Sequence, residues 1–92
     1  MDIRQQLNYV IDKIKEIRTK KGISQMDLSL RSNLSQSFIA NIEKRKKQPS
    51  VVTLIRIADA LEVNPHDFFP ELIEKDEKEH VKEKIKKLLD SL

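Results

Sequence analysis

Residues 24–43 read SQMDLSLRSNLSQSFIANIE, and their punctuation divides them into two short amphipathic helices joined by a tight turn. Ser24 is a helix N-cap, because its hydroxyl can accept a bond from a backbone N–H of the first turn. Asp27, three residues on, completes a partial capping box with Asp in place of the preferred Glu or Gln. Leu28 falls on the face meant for a core. Asn33 ends the first helix, since Asn is the non-glycine residue that best tolerates the left-handed conformation found at helix C-termini. Leu34 is then buried in the turn, and Ser35 caps a second helix over about 36–44. Ile39 and Ile42, with Phe38 beside them, fix its inward side. Gln36, Ser37, Ala40 and Asn41 are left facing outward.

Four basic residues, Lys44, Arg45, Lys46 and Lys47, follow at once. An inert helical hairpin in a small bundle has no need of Gln, Ser and Asn on its outer N-terminal edge beside a basic loop. A helix that docks in the DNA major groove does. A Gln amide at position 36 can pair bidentately with adenine N6 and N7, a contact worth roughly 1–3 kcal/mol of discrimination. Asn41 is placed to read a base or bridge through water, and Ser37 specifies more weakly. The basic run would bind phosphates and release condensed counterions, so that affinity falls steeply with salt. Helix starts at Gln25 and after Ser50 would add backbone N–H donors to phosphate oxygens. Lys20 and Lys21, beside Gly22, are better read as solvated.

Working outward, Ile3, Leu7, Val10, Ile14 and Ile17 recur at alternating spacings of four and three, which predicts a first helix from about Asp2 to Lys20. Gly22 breaks it. Pro49 ends the basic loop, and Ser50 caps a helix carrying Val51, Leu54, Ile55, Ala58 and Leu61 on its apolar side. Asn64-Pro65-His66-Asp67 is a further helix start with Pro at the first position, opening a short turn whose Phe68 and Phe69 close the core. Pro70 then breaks the chain. A charged stretch, EKDEKEH, leads into a last helix with Val81, Ile85, Leu88 and Leu92 on one stripe. The expected organisation is a domain over 1–70, with the motif at about 24–43, and a C-terminal helical segment over 71–92 that serves packing or dimerisation.

Composition supports an all-α fold. The 92 residues suit one modest core. One Gly, three Pro and 36% charged residues fit helices rather than disorder or a β-rich fold. The absence of Cys removes disulfide and thiolate chemistry. No signal peptide is evident and no apolar run approaches the ~18 residues of a membrane span, so a cytoplasmic location is expected. The net charge of +3 is unevenly spread. Residues 1–70 carry 12 Lys/Arg against 8 Asp/Glu, and residues 71–92 carry 6 against 7. The positive excess coincides with the motif, as nucleic-acid binding requires.

The segment from about Val10 to Phe69 resembles the DNA-binding domain of Cro and lambda-repressor-like regulators, the XRE-type helix-turn-helix family. The marks that carry the resemblance are IKEIRTKKGISQ, IANIEKRKKQPS and TLIRIADALEVNPHDFF, in order and at the family's spacing. Three positions depart from the pattern. Ser29 stands where a small Ala is usual, Asn33 where Gly is usual, and Arg45 near the Gly that often ends the recognition helix. The resemblance implies a five-helix lambda-repressor-like domain, here with an extended first helix and an added C-terminal amphipathic helix. It implies base contacts at Gln36, Ser37 and Asn41, and a phosphate contact at Gln25. Arg18 and Glu43 fall where the family forms a buried ion pair between the first and the recognition helix. A location in a bacterial or phage-type nucleoid follows from the same likeness.

The ends of the chain point to assembly. Ile3 and Leu7 extend the first helix beyond the family's minimal domain, and an isolated C-terminal helix of a dozen residues is marginal in water. With Val81, Ile85, Leu88 and Leu92, these residues are candidate dimer contacts; the C-terminal helix either folds back on its own first helix or, as a homodimer would have it, packs against that of a second copy. A symmetric dimer would read a palindromic operator of duplex DNA. The expected role is a dimeric repressor or autoregulator. The alternative is an antitoxin or other interaction protein whose terminal helices bind a protein partner. A separate effector domain has no room in 92 residues. Catalysis finds no support: His66 and His80 are isolated, and no metal-ligand spacing, phosphate-binding Gly loop or nucleophile–base pair is present. No cofactor is expected.

Overall fold

The chain begins with a capping box that fixes where the first helix starts. In a computed structural model that describes residues 2–70 and 85–91, Asp2 accepts from the Gln5 backbone N–H at 2.7 Å, and the Gln5 side chain accepts from the Asp2 N–H at 2.9 Å. Two orphan donors of the first turn are thereby satisfied reciprocally. Helix α1 runs Ile3–Lys20. Helices α2, Gln25–Ser32, and α3, Gln36–Glu43, form the motif, followed by α4, Val51–Leu61, and a 3₁₀ helix, Pro65–Phe68. Residues 85–90 are helical as well. Among the described residues there is no strand, and no helix is long and apolar enough to cross a membrane.

Each of the caps named from sequence forms. Ser24 accepts from Asp27, Ser35 from Phe38, Ser50 from Thr53 and Asn64 from His66, at 2.9–3.1 Å. The Ser24–Asp27 box is only half made, because Asp27 shows no return bond to the cap. The C-termini follow one device throughout. Gly22, Asn33, Arg45 and Glu62 all take positive φ, 70°, 57°, 64° and 58°. After each, the next N–H reaches back five residues: Ile23 to Arg18, Leu34 to Ser29, Lys46 to Asn41 and Val63 to Ala58, at 2.8–3.2 Å. This satisfies carbonyls that would otherwise be orphaned at the helix end.

The core is built where these helices converge. Val10, Ile11 and Ile14 of α1 meet Leu28 of α2, Ile39 and Ile42 of α3, and Leu54, Ile57, Ala58 and Leu61 of α4. Phe68 plugs the base, fully buried between α1 and α4, against which the 3₁₀ helix packs. Burying a side chain of this size contributes about 1.5–3 kcal/mol. The structure differs from the sequence pattern at two places. Phe69 does not join Phe68 in the core but is half exposed. Val51 and Ile55 also face solvent, while Thr53, Ile57 and Ala60 are buried in their place. The sequence of α4, VVTLIRIADAL, is apolar nearly all round, so periodicity alone does not choose its inward face.

On the solvent face of α1, Lys20 donates to Glu16 at 3.0 Å with Lys13 at 3.6 Å. Lys20, and then Lys13, hold the Glu16 carboxyl below the usual carboxylate range. An exposed pair of this kind adds little to stability.

The left-handed caps set a test of the fold. A residue with a Cβ is disfavoured in that conformation by about 1–2 kcal/mol relative to glycine, offset in part by the greater freedom glycine has in the unfolded chain. Glu62→Gly should therefore raise stability by about 0.5–1 kcal/mol, and Gly22→Ala should lower it by a similar amount, both read as shifts of the urea midpoint at constant slope. A stabilised Gly22→Ala protein would contradict the assignment.

Candidate nucleic-acid interface

The motif's second helix owes its position to a buried guanidinium. Arg18, in the last turn of α1, donates through Nε to Glu43 Oε2 and through Nη2 to Glu43 Oε1, both at 2.8 Å. Its Nη1 donates to the Ile23 carbonyl, also at 2.8 Å. The two side chains are only 10% and 4% exposed. The planar fork of Arg matches a carboxylate bidentately, which a Lys cannot do. One side chain thus binds the end of α1, the turn after it and the last residue of α3.

Gln25 joins the same cluster. Its Nε2 donates to Glu43 Oε1 at 3.3 Å, so the residue expected at a phosphate bridges the start of α2 to the end of α3. The remaining candidates divide by exposure. Gln36 and Ser37 are exposed in the first turn of α3, while Asn41 is half-buried and its carbonyl receives the N–H groups of Lys46 and Lys47 at 2.8 and 3.2 Å. Phe38 lies half-buried against the core. Lys44, Lys46 and Lys47 are exposed around the left-handed turn. Positive charge there also complements the negative end of the α3 dipole. Ser50 is occupied as the cap of α4, its hydroxyl within 3.0 Å of Thr53 Oγ1 as well.

Arg45 departs from the pattern expected of the basic run. Its Nη2 donates to both carboxylate oxygens of Asp12, at 2.7 and 2.9 Å. The loop after α3 is therefore strapped to the middle of α1. A contact between residues 33 apart leaves no local mark in sequence. Beyond it, Arg4, Leu7, Asn8 and Ile11 of α1 face Arg45, Lys47 and Gln48 across a cleft of about 380 Å³. Leu7, expected at a dimer contact, is partly buried here within its own chain, whereas Ile3 is 85% exposed.

A second surface was also not evident from sequence. Val51 (72% exposed), Ile55 (52%) and Phe69 (50%) line one open depression with Pro65, His66 and Pro70. Of the C-terminal candidates, Ile85 and Leu88 are exposed on their helical segment, and Val81 and Leu92 lie outside the described residues. Among the described residues no group of three or more His, Cys, Asp or Glu could hold a metal ion.

Residues 14–68, well over half of the chain, match the model of the Helix-turn-helix family. The protein belongs to that family. Its members of this XRE type are DNA-binding regulators rather than enzymes. An uncharacterised helix-turn-helix-type transcriptional regulator of Sinorhizobium fredii is 35% identical over 48 residues, 52% of this chain and 62% of that protein. The immunity repressor of Bacillus phage phi105 is 41% identical over 49 residues, 53% of this chain and 34% of the repressor. The chain thus matches less than two thirds of either curated relative. Among solved structures, the restriction-modification controller protein C.AhdI from Aeromonas hydrophila is similar with a TM-score of 0.66 and 29% identity, over 72% of this chain and 98% of that one. The controller protein C.Esp1396I, solved as a tetramer with its natural 35 base-pair operator, gives 0.65 at 36% identity, over 68% and 83%.

Within this helix-turn-helix frame the Arg18–Glu43 pair is the element most sensitive to substitution. Removing one partner leaves a buried charge uncompensated, which costs about 3–5 kcal/mol. Glu43→Leu and Arg18→Met should each lower stability by that amount in urea denaturation. The double variant Arg18→Met, Glu43→Leu should recover most of the loss, since no unpaired charge remains. Additive losses would show that the two side chains act independently.

Proposed function

We propose that the protein is a sequence-specific transcriptional repressor or autoregulator that binds duplex DNA as a homodimer. In this reading α3 lies in the major groove with Gln36 and Ser37 on base edges and Asn41 behind them. Lys44, Lys46 and Lys47 face phosphates, with the open ends of α2 and α4, marked by Gln25 and Ser50, on either side. The observation that carries the reading is the exposed, polar first turn of α3, a helix whose other end is fixed by Arg18 and Glu43. Recognition helices present their N-terminal residues to base edges in this manner. Arg45 is assigned mainly to Asp12, and Gln25 orients Glu43 in addition to any phosphate it meets. Such a regulator works in the cytoplasm, on the nucleoid.

Assembly is assigned first to the α4 face. Val51, Ile55 and Phe69 form a contiguous apolar surface of the kind that marks a protein contact on a small domain. A second copy is the occupant we favour, because C.Esp1396I, similar over the same domain, occupies its operator as a tetramer. Two α3 helices related by a two-fold axis would read half-sites about one helical turn apart, on a palindromic operator. The segment over 71–92, with Ile85 and Leu88, strengthens the same assembly. Binding of a protein partner by that segment is the other reading its exposed apolar residues favour.

Fluorescence anisotropy on a set of duplexes tests these roles. Gln36→Ala should relax preference at one base position of the half-site, losing about 1–3 kcal/mol of discrimination there. Lys46→Ala should weaken all sequences alike and make the salt slope shallower by about one. If Gln36→Ala left sequence preference intact, Gln36 would leave the reading set. Sedimentation tests the assembly: Ile55→Asp should yield a folded monomer, whereas a chain ending after Pro70 should still dimerise, more weakly. A monomeric truncated chain with a dimeric Ile55→Asp protein would move the interface to the C-terminal segment.

A further inference from the structure

The amino-terminal turns of α1 carry a feature that neither the core nor the motif uses. Arg4 stands in the first turn of α1, where the helix dipole disfavours a positive charge, and the acidic group at that helix start, the N-cap Asp2, is bonded to the Gln5 N–H and forms no ion pair with it. Arg4 has no ion-pair partner among the described residues. Its position is therefore not explained by helix stability. Across the cleft it faces the loop after α3, so that Arg4, Arg45 and Lys47 and the amides of Asn8 and Gln48 line one concavity of about 380 Å³. No carboxylate is among the lining residues, Asp12 is engaged by Arg45 Nη2 alone, and the Nε and Nη1 donors of Arg45 have no partner among the described residues. The strap to Asp12 holds that guanidinium at the cleft instead of letting it follow the solvent.

We infer that this cleft is a phosphate-binding cradle, in which Arg4, Lys47 and the free edge of Arg45 supply charge and Asn8 and Gln48 supply amide donors. The phosphate is one of the DNA backbone, flanking the half-site that α3 reads. The extended first helix then lengthens the footprint without reading sequence, since phosphate contacts position a protein but specify no base. This assignment rests on the DNA-binding reading above, and it adds Arg4 and Asn8 to the residues that meet DNA. A free phosphate compound offers the same chemistry and is the alternative source.

The test uses the full chain and Arg4→Gln, with Asn8→Ala as a second variant. The midpoint of Arg4→Gln in urea should equal or slightly exceed that of the parent, because the substitution removes an unfavourable charge at a helix start. Binding is measured on two duplexes with one shared operator, the first trimmed to the core and the second longer by about half a helical turn, roughly five base pairs, on each side. On the longer duplex Arg4→Gln should reduce the salt slope by about 0.9 per half-site. The advantage of the parent should then shrink roughly 3.5-fold per half-site between 50 and 200 mM salt, as follows from that slope. On the trimmed duplex the two proteins should bind alike. In parallel, inorganic phosphate is titrated into the free protein while the backbone amides of Arg4, Asn8 and Lys47 are followed by NMR. Saturable shifts that Arg4→Gln abolishes, with no difference between the duplexes, would keep the cradle and assign it to a free phosphate compound. Unchanged slopes on both duplexes together with no phosphate-dependent shift would overturn it. Failure of the parent to bind either duplex would instead overturn the DNA-binding reading, and the phosphate titration would still decide the cradle.

Discussion

The rest of the structure depends on where one guanidinium is fixed. Arg18 is drawn out of water and joined by three hydrogen bonds to the Glu43 carboxylate, 25 residues away, and to the Ile23 carbonyl in the turn just after α1. Burying a charge pair carries a desolvation penalty that apolar residues of the same volume would avoid. What the pair adds is direction, since a bidentate fork constrains both distance and angle where packed methyl groups would allow sliding. The axis of α3 is thereby referred to α1, the longest element of the domain. Ile39 and Ile42 fix which face of α3 turns inward, and Arg18 fixes how far along α1 its end lies. The exposed Gln36 and Ser37 inherit their placement from both.

A second layer of constraint acts on the loop beyond α3. The left-handed turn at Arg45 brings the Lys46 and Lys47 N–H groups back onto Asn41, and the Asp12 carboxylate then holds the Arg45 side chain against α1. Glycine would relax the turn but would forfeit the strap. Here the chain accepts backbone strain of about 1–2 kcal/mol to keep a side chain at that position. That choice is intelligible if the loop's geometry matters to a ligand, because an exposed ion pair offsets at most about 1 kcal/mol of it. The cleft between α1 and the loop is where the held guanidinium points its chemistry.

Much of this was legible because it is local. Ser24, Ser35, Ser50 and Asn64 each cap a helix through a bond to a backbone N–H two or three residues away, and a cap needs no tertiary context. The spacing of Val10, Ile14 and Ile17 likewise gave the first helix its extent. What was hidden depends on distance or on ambiguity. Arg45 and Glu62 carry no sequence mark of left-handed backbone, as Gly22 and Asn33 do. The bond from Arg45 to Asp12 joins residues far apart in sequence. In α4, apolar residues surround the helix, so its sequence does not show that Val51 and Ile55 are exposed and form an apolar face with Phe69. Resemblance to known regulators supplied the pairing of Arg18 with Glu43, which spacing alone does not give.

The central claim is that the first turn of α3 reads base sequence in a two-fold symmetric arrangement. The most direct measurement is selection of binding sites by the full chain from a pool of random duplex DNA at near-physiological salt. The account predicts enrichment of an inverted repeat whose half-site centres lie about one helical turn apart, roughly 10–10.5 base pairs. A folded protein that enriched no sequence at all would contradict it.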